Sequence, residues 1–140
     1  MKIAVIYVSK TGSTQLCAEY ITSRLKDCSS FNLEKENPNL LDYDVILIGS
    51  GIRMGKLYKP IVQILKNNVS LLLEKKIGLF ICNFYPETFE KSITKNIPKE
   101  LLDNIEIVAC GGVPPFNKPV NTDWLKYDIV ESFLKRMFLI

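Results

Sequence analysis

The chain has 140 residues, a length that at about 150 residues per domain predicts one domain spanning residues 1–140 with one sizeable core. Its composition, 47% hydrophobic and 24% charged, excludes collagen-like and disordered chains, and no apolar run reaches the roughly 20 residues of a membrane span, so we expect a cytoplasmic protein. The net charge of +3 is too small to indicate nucleic-acid binding without a clustered basic face, and the absence of histidine excludes His-based nucleophilic sites and nearly all catalytic zinc sites.

In the first part of the chain, continuously apolar runs alternate with a segment in which apolar residues recur at helical spacing. Residues Ile3–Val8 are continuously apolar and rich in β-branched side chains, which predicts a buried strand. After a polar turn, apolar residues recur at helical spacing from Thr14, and a hydroxyl in the turn can cap the first N–H groups of that helix. Ser30–Leu33 is a short candidate strand, and Tyr43–Gly49 is a second strongly buried one.

The second part continues this alternation. Ser50–Gly55 is predicted to be a loop, and Pro60–Lys66 is predicted to be a helix with proline in its first turn. Two further apolar strands, Ile77–Cys82 and Ile105–Cys110, each end at polar or glycine-rich residues. A last helix is expected from about Asp123, with Thr122 as its cap. Its predicted buried face consists of Ile129, Val130, Phe133, Leu134 and Met137.

Strands that alternate with helices indicate an α/β fold, in which a mostly parallel sheet of five strands is covered by helices on both faces. In such a sheet, ligands bind beyond the carboxyl ends of the strands, where the strand order reverses. The loops that follow the strands are therefore the candidate site.

The four cysteines, Cys17, Cys28, Cys82 and Cys110, include no C-x-x-C pair. They predict neither a zinc ribbon nor a thioredoxin-type site, and no metal site is expected. Cys17, Cys82 and Cys110 are expected to be buried as small apolar side chains.

The loop after the first strand reads Ser9-Lys10-Thr11-Gly12-Ser13-Thr14 and leads directly into a helix. Its hydroxyls, the backbone N–H groups that its glycine makes accessible and the positive end of the helix dipole together suit a phosphate monoester. The loop is not a Walker A motif, because no Gly-Lys-Ser/Thr follows, and it is not the Gly-x-Gly-x-x-Gly dinucleotide turn. The alternative interpretation is a capped turn that is merely rich in serine and threonine.

This loop resembles the phosphate loop of the flavodoxin family, Ser/Thr-x-Thr-Gly-x-Thr, and the placement of the strands resembles flavodoxins over the whole chain. Ile48–Gly55 and Thr122–Trp124 also resemble the branch that contains menaquinone-dependent protoporphyrinogen oxidase. The resemblance implies a flavodoxin-like three-layer sandwich with strand order 2-1-3-4-5 and one bound FMN. It assigns the FMN phosphate to Ser9, Thr11, Gly12, Ser13 and Thr14, with Lys10 adding charge beside them.

The resemblance also implies that the flavin ring lies between two further loops. The residues concerned are Ser50, Gly51, Ile52, Arg53, Met54 and Gly55 in one loop, and Asn83, Phe84 and Tyr85, before Pro86, in the other. Gly51 and Gly55 permit positive φ, so that backbone groups could face the edge of a flat ring. Phe84 or Tyr85 could stack on the ring, with Tyr58 as a second candidate, although core packing explains Phe84 equally well.

The charge around the proposed site departs from that of ordinary flavodoxins, which are acidic. This chain places Lys10, Arg53, Lys56 and Lys59 on the loops concerned. A nearby guanidinium would stabilise an anionic reduced flavin, so we hypothesise a less reducing flavin that faces a redox partner protein with an acidic surface or a small carboxylate-bearing substrate. The alternative is that the lysines are merely solvated.

Two functions stay open at this point. One is an FMN electron carrier, because the chain offers a single compact domain and no evident acid–base residue. The other is an FMN oxidoreductase that acts on a quinone or a tetrapyrrole, which Arg53 and the basic rim favour. Porphyrinogen-oxidising relatives carry a long insertion before the last helix, where this chain has only the short connection Val113–Asn121, and this disfavours that substrate. A response-regulator receiver is excluded, because Val8-Ser9 and Gly49-Ser50 stand where acidic residues would be needed.

Overall fold

The computed structural model describes residues 1–114 and 116–140, so Pro115 of the short connection lies outside the described residues. The strands are β1 Ile3–Tyr7, β2 Cys28–Asn32, β3 Val45–Arg53, β4 Lys56–Leu57, β5 Lys76–Cys82 and β6 Glu106–Ala109. The helices are α1 Ser13–Ser23, α2 Lys59–Asn67, α3 Val69–Leu73, α4 Phe89–Asn96, α5 Lys99–Leu102 and α6 Tyr127–Arg136. Single 3₁₀ turns occur at Leu40–Asp42 and Pro86–Thr88.

The main sheet is parallel, with strand order β2-β1-β3-β5-β6, and β4 pairs antiparallel with the end of β3. Apart from this added short strand, the order is the predicted 2-1-3-4-5, and the α/β prediction is confirmed. The register places Tyr7 beside Gly49 and Gly49 beside Phe80, so the carboxyl ends of β1, β3 and β5 lie at one edge. Among the described residues, no helix is long and apolar enough to cross a membrane.

The core has two halves, one on each face of the sheet, because successive strand side chains point to opposite faces. Ile3, Val5 and Tyr7 of β1 pack with α1 and α6, whereas Ala4 and Ile6 pack with helices α2 to α5. This is the predicted three-layer arrangement. The expected burial of Cys17, Cys82 and Cys110 is also confirmed. All three lie on the α1 and α6 side of the sheet.

The prediction of a loop over Ser50–Gly55 is wrong for most of that segment. β3 continues to Arg53 and turns back through Met54 and Gly55 into β4. Both turn residues have positive φ, 54° and 76°, which is the signature of a type I′ hairpin turn. The pairing of Ile52 with Leu57 satisfies backbone groups that a loop would leave to water.

The last helix begins at Tyr127 and not at Asp123, with Lys126 in place of Thr122 at its N-terminal boundary. The reason is tertiary: the Lys126 N–H donates to the carbonyl of Cys110, the residue after β6, at 3.0 Å, and so is not available for the helical hydrogen bond to Thr122. Ile129, predicted to be buried, is 37% exposed. The other four predicted face residues are buried, namely Val130, Phe133, Leu134 and Met137.

A polar cluster joins α1 to α6 on the protein surface. Arg24 Nε lies 2.7 Å from Glu131 Oε1, and the Tyr20 hydroxyl donates to the same carboxylate. Hydrogen bonds from Arg24, and then from Tyr20, lower the pKa of Glu131 below its ordinary value of 4.5. The carboxylate form of Glu131 therefore favours the folded state.

We expect Glu131→Gln to destabilise the protein at neutral pH but not in acid. A carboxyl group whose pKa falls on folding stabilises the fold above its unfolded pKa, and this contribution is lost as pH falls through the lower, folded value. Urea unfolding should therefore give a lower midpoint for the variant at pH 7, and the difference should close below both pKa values. Glu74→Gln, at an exposed glutamate outside the ion pairs of the described residues, is the control. An undiminished difference in acid would contradict the assignment.

Candidate functional site

A cavity of about 340 Å³ lies at the carboxyl edge of the sheet, within the usual size range of ligand sites. Four chain segments form its walls: the β1–α1 loop, the β3–β4 hairpin, the β5–α4 loop and the β6–α6 connection. Its described lining residues are Ser9, Lys10, Thr11, Ser13, Thr14, Ile52, Arg53, Met54, Gly55, Tyr58, Cys82, Asn83, Phe84, Tyr85, Thr88, Gly112, Val113, Pro114 and Phe116. All predicted site residues therefore lie in the wall except Gly12, Ser50 and Gly51.

The β1–α1 loop is shaped by one serine hydroxyl. Ser9 Oγ accepts hydrogen bonds from the N–H groups of Gly12, at 3.1 Å, and Gln15, at 3.2 Å. Gly12 adopts φ of 113°, a left-handed conformation that glycine tolerates, and the chain then enters α1. The predicted capping hydroxyl is therefore Ser9, which lies three residues before the helix boundary, and Gly12 acts through the backbone.

The Ser13 hydroxyl is buried at the start of α1 and has no hydrogen-bond partner among the described residues. An unsatisfied buried hydroxyl costs about 1–3 kcal/mol, so such a group indicates a missing partner. Ser13 lines the cavity together with Thr11 and Thr14, and the first turn of α1 carries no acidic residue. A multi-oxygen anion in the cavity would supply the missing partner, and the helix dipole would favour its charge.

The cavity wall is positively charged. Its described residues include Lys10 and Arg53 but no carboxylate. Lys10 Nζ lies 3.3 Å from Glu34 outside the wall, whereas the Arg53 guanidinium stacks on the Phe116 ring at 4.9 Å. The other two basic residues predicted near the site, Lys56 in β4 and Lys59 at the start of α2, are exposed and lie outside the described lining.

Ser50 and Gly51 act on the cavity indirectly, through Tyr58. The buried Ser50 hydroxyl accepts a hydrogen bond from the Tyr58 N–H at 3.1 Å. The Tyr58 hydroxyl lies directly over Gly51, where a Cβ atom would collide with it. Burial raises the pKa of Tyr58, while the charge of Arg53 opposes the shift. Tyr58 thus stays protonated and presents an aromatic wall.

Phe84 and Tyr85 form the opposite, aromatic side of the cavity. Each is 44% exposed, and their rings meet edge to face at 5.1 Å. Asn83 shapes this loop by donating to the Tyr85 carbonyl at 2.5 Å and to the Thr88 hydroxyl at 3.1 Å. The half-exposure of Phe84 argues against core packing as the explanation of this residue.

The β6–α6 connection was not predicted to contribute to the site. Gly112 packs against the backbone of Asn83 and Phe84, and Phe116 reaches the cavity farther along. The connection carries no recognisable binding motif, and its only signal in the sequence was its richness in proline. Its place in the wall follows from the packing of β6 beside β5.

Comparison with known proteins gives both a family match and a fold match. The model of a family described as the flavodoxin domain matches residues 4–113, well over half of the chain. A flavoprotein from Lactobacillus acidophilus solved in complex with FMN is 19% identical with a TM-score of 0.60, and the match covers 77% of this chain and 90% of that one. No match was found among curated protein sequences.

Two solved flavodoxins match over nearly the whole chain. An oxidised flavodoxin from Bacillus cereus is 19% identical with a TM-score of 0.58, covering 99% of this chain and 95% of that one. An FMN-bound flavodoxin from Fusobacterium nucleatum is 13% identical with a TM-score of 0.54, covering 97% and 93%. At these identities the structural likeness establishes the fold alone.

Gly51→Ala should destabilise the protein by about 1–3 kcal/mol, because the added methyl group forces the Tyr58 ring out of its position. The same substitution in a Tyr58→Ala background should cost nothing, since the opposing ring is absent. Urea unfolding of the four proteins in this cycle measures the difference. An equal cost in both backgrounds would show that Tyr58 is not what requires glycine at this position.

Proposed function

The chain belongs to the flavodoxin domain family, and on that premise we propose that it binds FMN and transfers electrons. The observation that carries the proposal is the buried Ser13 hydroxyl, unpartnered among the described residues, in a loop rich in hydroxyls at the start of an 11-residue helix. A terminal phosphate has the oxygen atoms and the charge that this arrangement lacks. The family match and the matched FMN-bound flavoproteins support the same ligand.

The residues fit FMN in two parts. The phosphate would be held by the hydroxyls of Ser9, Thr11, Ser13 and Thr14 and by the backbone at Gly12. The ring system would be held between the hairpin that carries Arg53 and the loop that carries Phe84 and Tyr85. When bound, the flavin supplies the capacity to accept and donate electrons. FMN suits the site better than FAD, because the loop offers one phosphate subsite.

The Ser13→Ala variant tests the phosphate assignment, because the two expected effects have opposite signs. Without ligand, removal of the unsatisfied hydroxyl should raise the free energy of unfolding by about 1 kcal/mol. With ligand, loss of a hydrogen bond to a charged group should weaken FMN binding by about 10-fold or more. Urea unfolding of the apoprotein and titration of FMN fluorescence measure the two effects.

Ser23→Ala, at the far end of α1, is the matched control and should leave FMN affinity unchanged. If the Ser13→Ala variant binds FMN as tightly as the wild type, the assignment of the phosphate to this position is wrong. A wild-type apoprotein that binds no FMN would overturn the proposed function itself.

Arg53 gives a reason to expect a less reducing flavin than an acidic carrier holds. Its guanidinium lies in the cavity wall, forms none of the ion pairs among the described residues and faces no carboxylate in the described wall. A cation in this position favours added negative charge on the flavin, and so favours reduction. The effect is stronger in a partly desolvated cavity than in water.

We expect Arg53→Ala to lower the midpoint potential of bound FMN by tens of millivolts, since roughly 30 mV corresponds to about 1.4 kcal/mol for a two-electron couple. Anaerobic redox titration measures the midpoint. Arg136→Ala is the control, because Arg136 pairs with Glu106 at the opposite edge of the sheet. An unchanged potential in Arg53→Ala would exclude this role for the guanidinium.

An FMN oxidoreductase acting on a quinone or a tetrapyrrole is the second candidate function. It is favoured by the apolar mouth of the cavity, where Met54 is 93% exposed and Phe116 is 75% exposed, beside a cationic residue. These features suit a flat, acidic molecule as well as an acidic partner protein. A place in the protoporphyrinogen-oxidising branch rests only on the motifs at Ile48–Gly55 and Thr122–Trp124.

Stepwise anaerobic reduction of the FMN-saturated protein, followed by absorption, distinguishes the two candidates. Accumulation of a one-electron-reduced flavin supports a carrier that serves a redox partner protein. Passage directly to the two-electron-reduced flavin supports the oxidoreductase and directs the search to quinones and carboxylate-bearing tetrapyrroles.

A further inference from the structure

The β6–α6 connection contributes lining residues to the cavity and is fixed by backbone hydrogen bonds at both ends. We call residues 111–114 and 116–121 the strap. At one end the Gly111 carbonyl accepts from the Asn83 N–H at 3.0 Å, and just beyond the other end the Lys126 N–H donates to the Cys110 carbonyl at 3.0 Å. Between residues 112 and 120, the described part of the strap makes one backbone hydrogen bond, from Asn117 to Pro114. Side-chain contacts therefore decide where the strap lies.

Two such contacts tie the strap to two different walls of the cavity. The Pro119 ring lies against the phosphate loop, with its Cδ atom 3.5 Å from the position that a Cβ at Gly12 would take. The Phe116 ring lies under the Arg53 guanidinium of the hairpin, 4.9 Å from the ring centre to Cζ. The strap thus spans the cavity from the phosphate end to the hairpin end.

Phe116 is held in a conformation that needs an explanation. Its φ is 67°, a left-handed value that costs a bulky residue free energy, and its side chain is 75% exposed instead of buried in the core. Strained residues of this kind concentrate at ligand clamps, where the surrounding contacts determine them. Here those contacts are the Arg53 guanidinium and the cavity that Phe116 lines.

We infer that Phe116 of the strap, held by Arg53, retains the bound flavin by slowing its release. This rests on the proposed function, since it names a further binding residue of the same cavity. The ring of Phe116 gains apolar contact when the cavity is filled, and the cation–π contact with Arg53 holds the ring in position for it. Release of FMN then requires the strap to move away from the hairpin.

The test compares FMN release from the wild type, Phe116→Ala and a matched control. Phe138→Ala is that control, because Phe138 is also exposed, at 77%, also has positive φ, at 58°, and also lies under a cation, Lys76, at 4.0 Å. It is not among the described residues of the cavity wall. Each FMN-loaded protein is mixed with excess apoprotein of a tight-binding flavodoxin, and the rate of FMN transfer is recorded.

We expect Phe116→Ala to release FMN about 10-fold faster, equivalent to about 1.4 kcal/mol, with a nearly unchanged rate of association. Phe116→Leu, which keeps apolar contact but loses the ring under Arg53, should give an intermediate rate. Phe138→Ala should release FMN at the wild-type rate. In an Arg53→Ala background, the effect of Phe116→Ala should shrink, because the two residues act together.

Equal release rates for the wild type and Phe116→Ala would overturn the inference and leave FMN binding standing. An equal acceleration in Phe138→Ala would also overturn it, by showing a general loss of stability. A wild-type protein that retains no FMN would instead overturn the proposed function. Because Phe116 is exposed, the unfolding midpoint of the Phe116→Ala apoprotein should match that of the wild type, which confirms that the variant folds.

Discussion

The parallel register of β1, β3 and β5 is the constraint on which the site depends. It sets Tyr7 beside Gly49, and Gly51 beside Cys82, so that three strands end at one edge of the sheet. The segments that follow these strands then converge, although they lie tens of residues apart in the chain. Because both faces of each strand are buried, a slip of one residue would exchange the side chains of the two core halves, and packing therefore holds the register firmly.

Within this frame, the cavity is polar at one end and aromatic at the other. The Ser9 hydroxyl shapes the polar end by accepting from two backbone N–H groups, and the buried Ser13 hydroxyl at the same end has no partner among the described residues. At the other end, Tyr58 is held over Gly51 by the buried Ser50 hydroxyl. The positive charge of the wall acts on both ends of the cavity, since a charge that favours a phosphate at one end also favours a reduced, anionic ring at the other.

Sequence patterns predicted the parts of the site that are contiguous in the chain, and missed those that depend on distant contacts. The β1–α1 loop was predictable because its hydroxyls, its glycine and the following helix occur within a few residues. The hairpin was mistaken for a loop because β4 has only two residues, too few to show a strand pattern. The start of α6 was misplaced because the hydrogen bond from Lys126 to Cys110 outweighs the local capping signals at Thr122 and Asp123.

The sequence by itself determined the alternation of strands and helices, the buried cysteines and the hydroxyl-rich turn between β1 and α1, because burial period and local hydrogen bonding act over short stretches of chain. Only the tertiary structure decided that Arg53 stacks on Phe116 and that Pro119 lies against Gly12. These contacts join segments separated by more than 60 residues, and nothing in either segment specifies its partner. Strand order and register bring them together, and those are properties of the whole packed sheet.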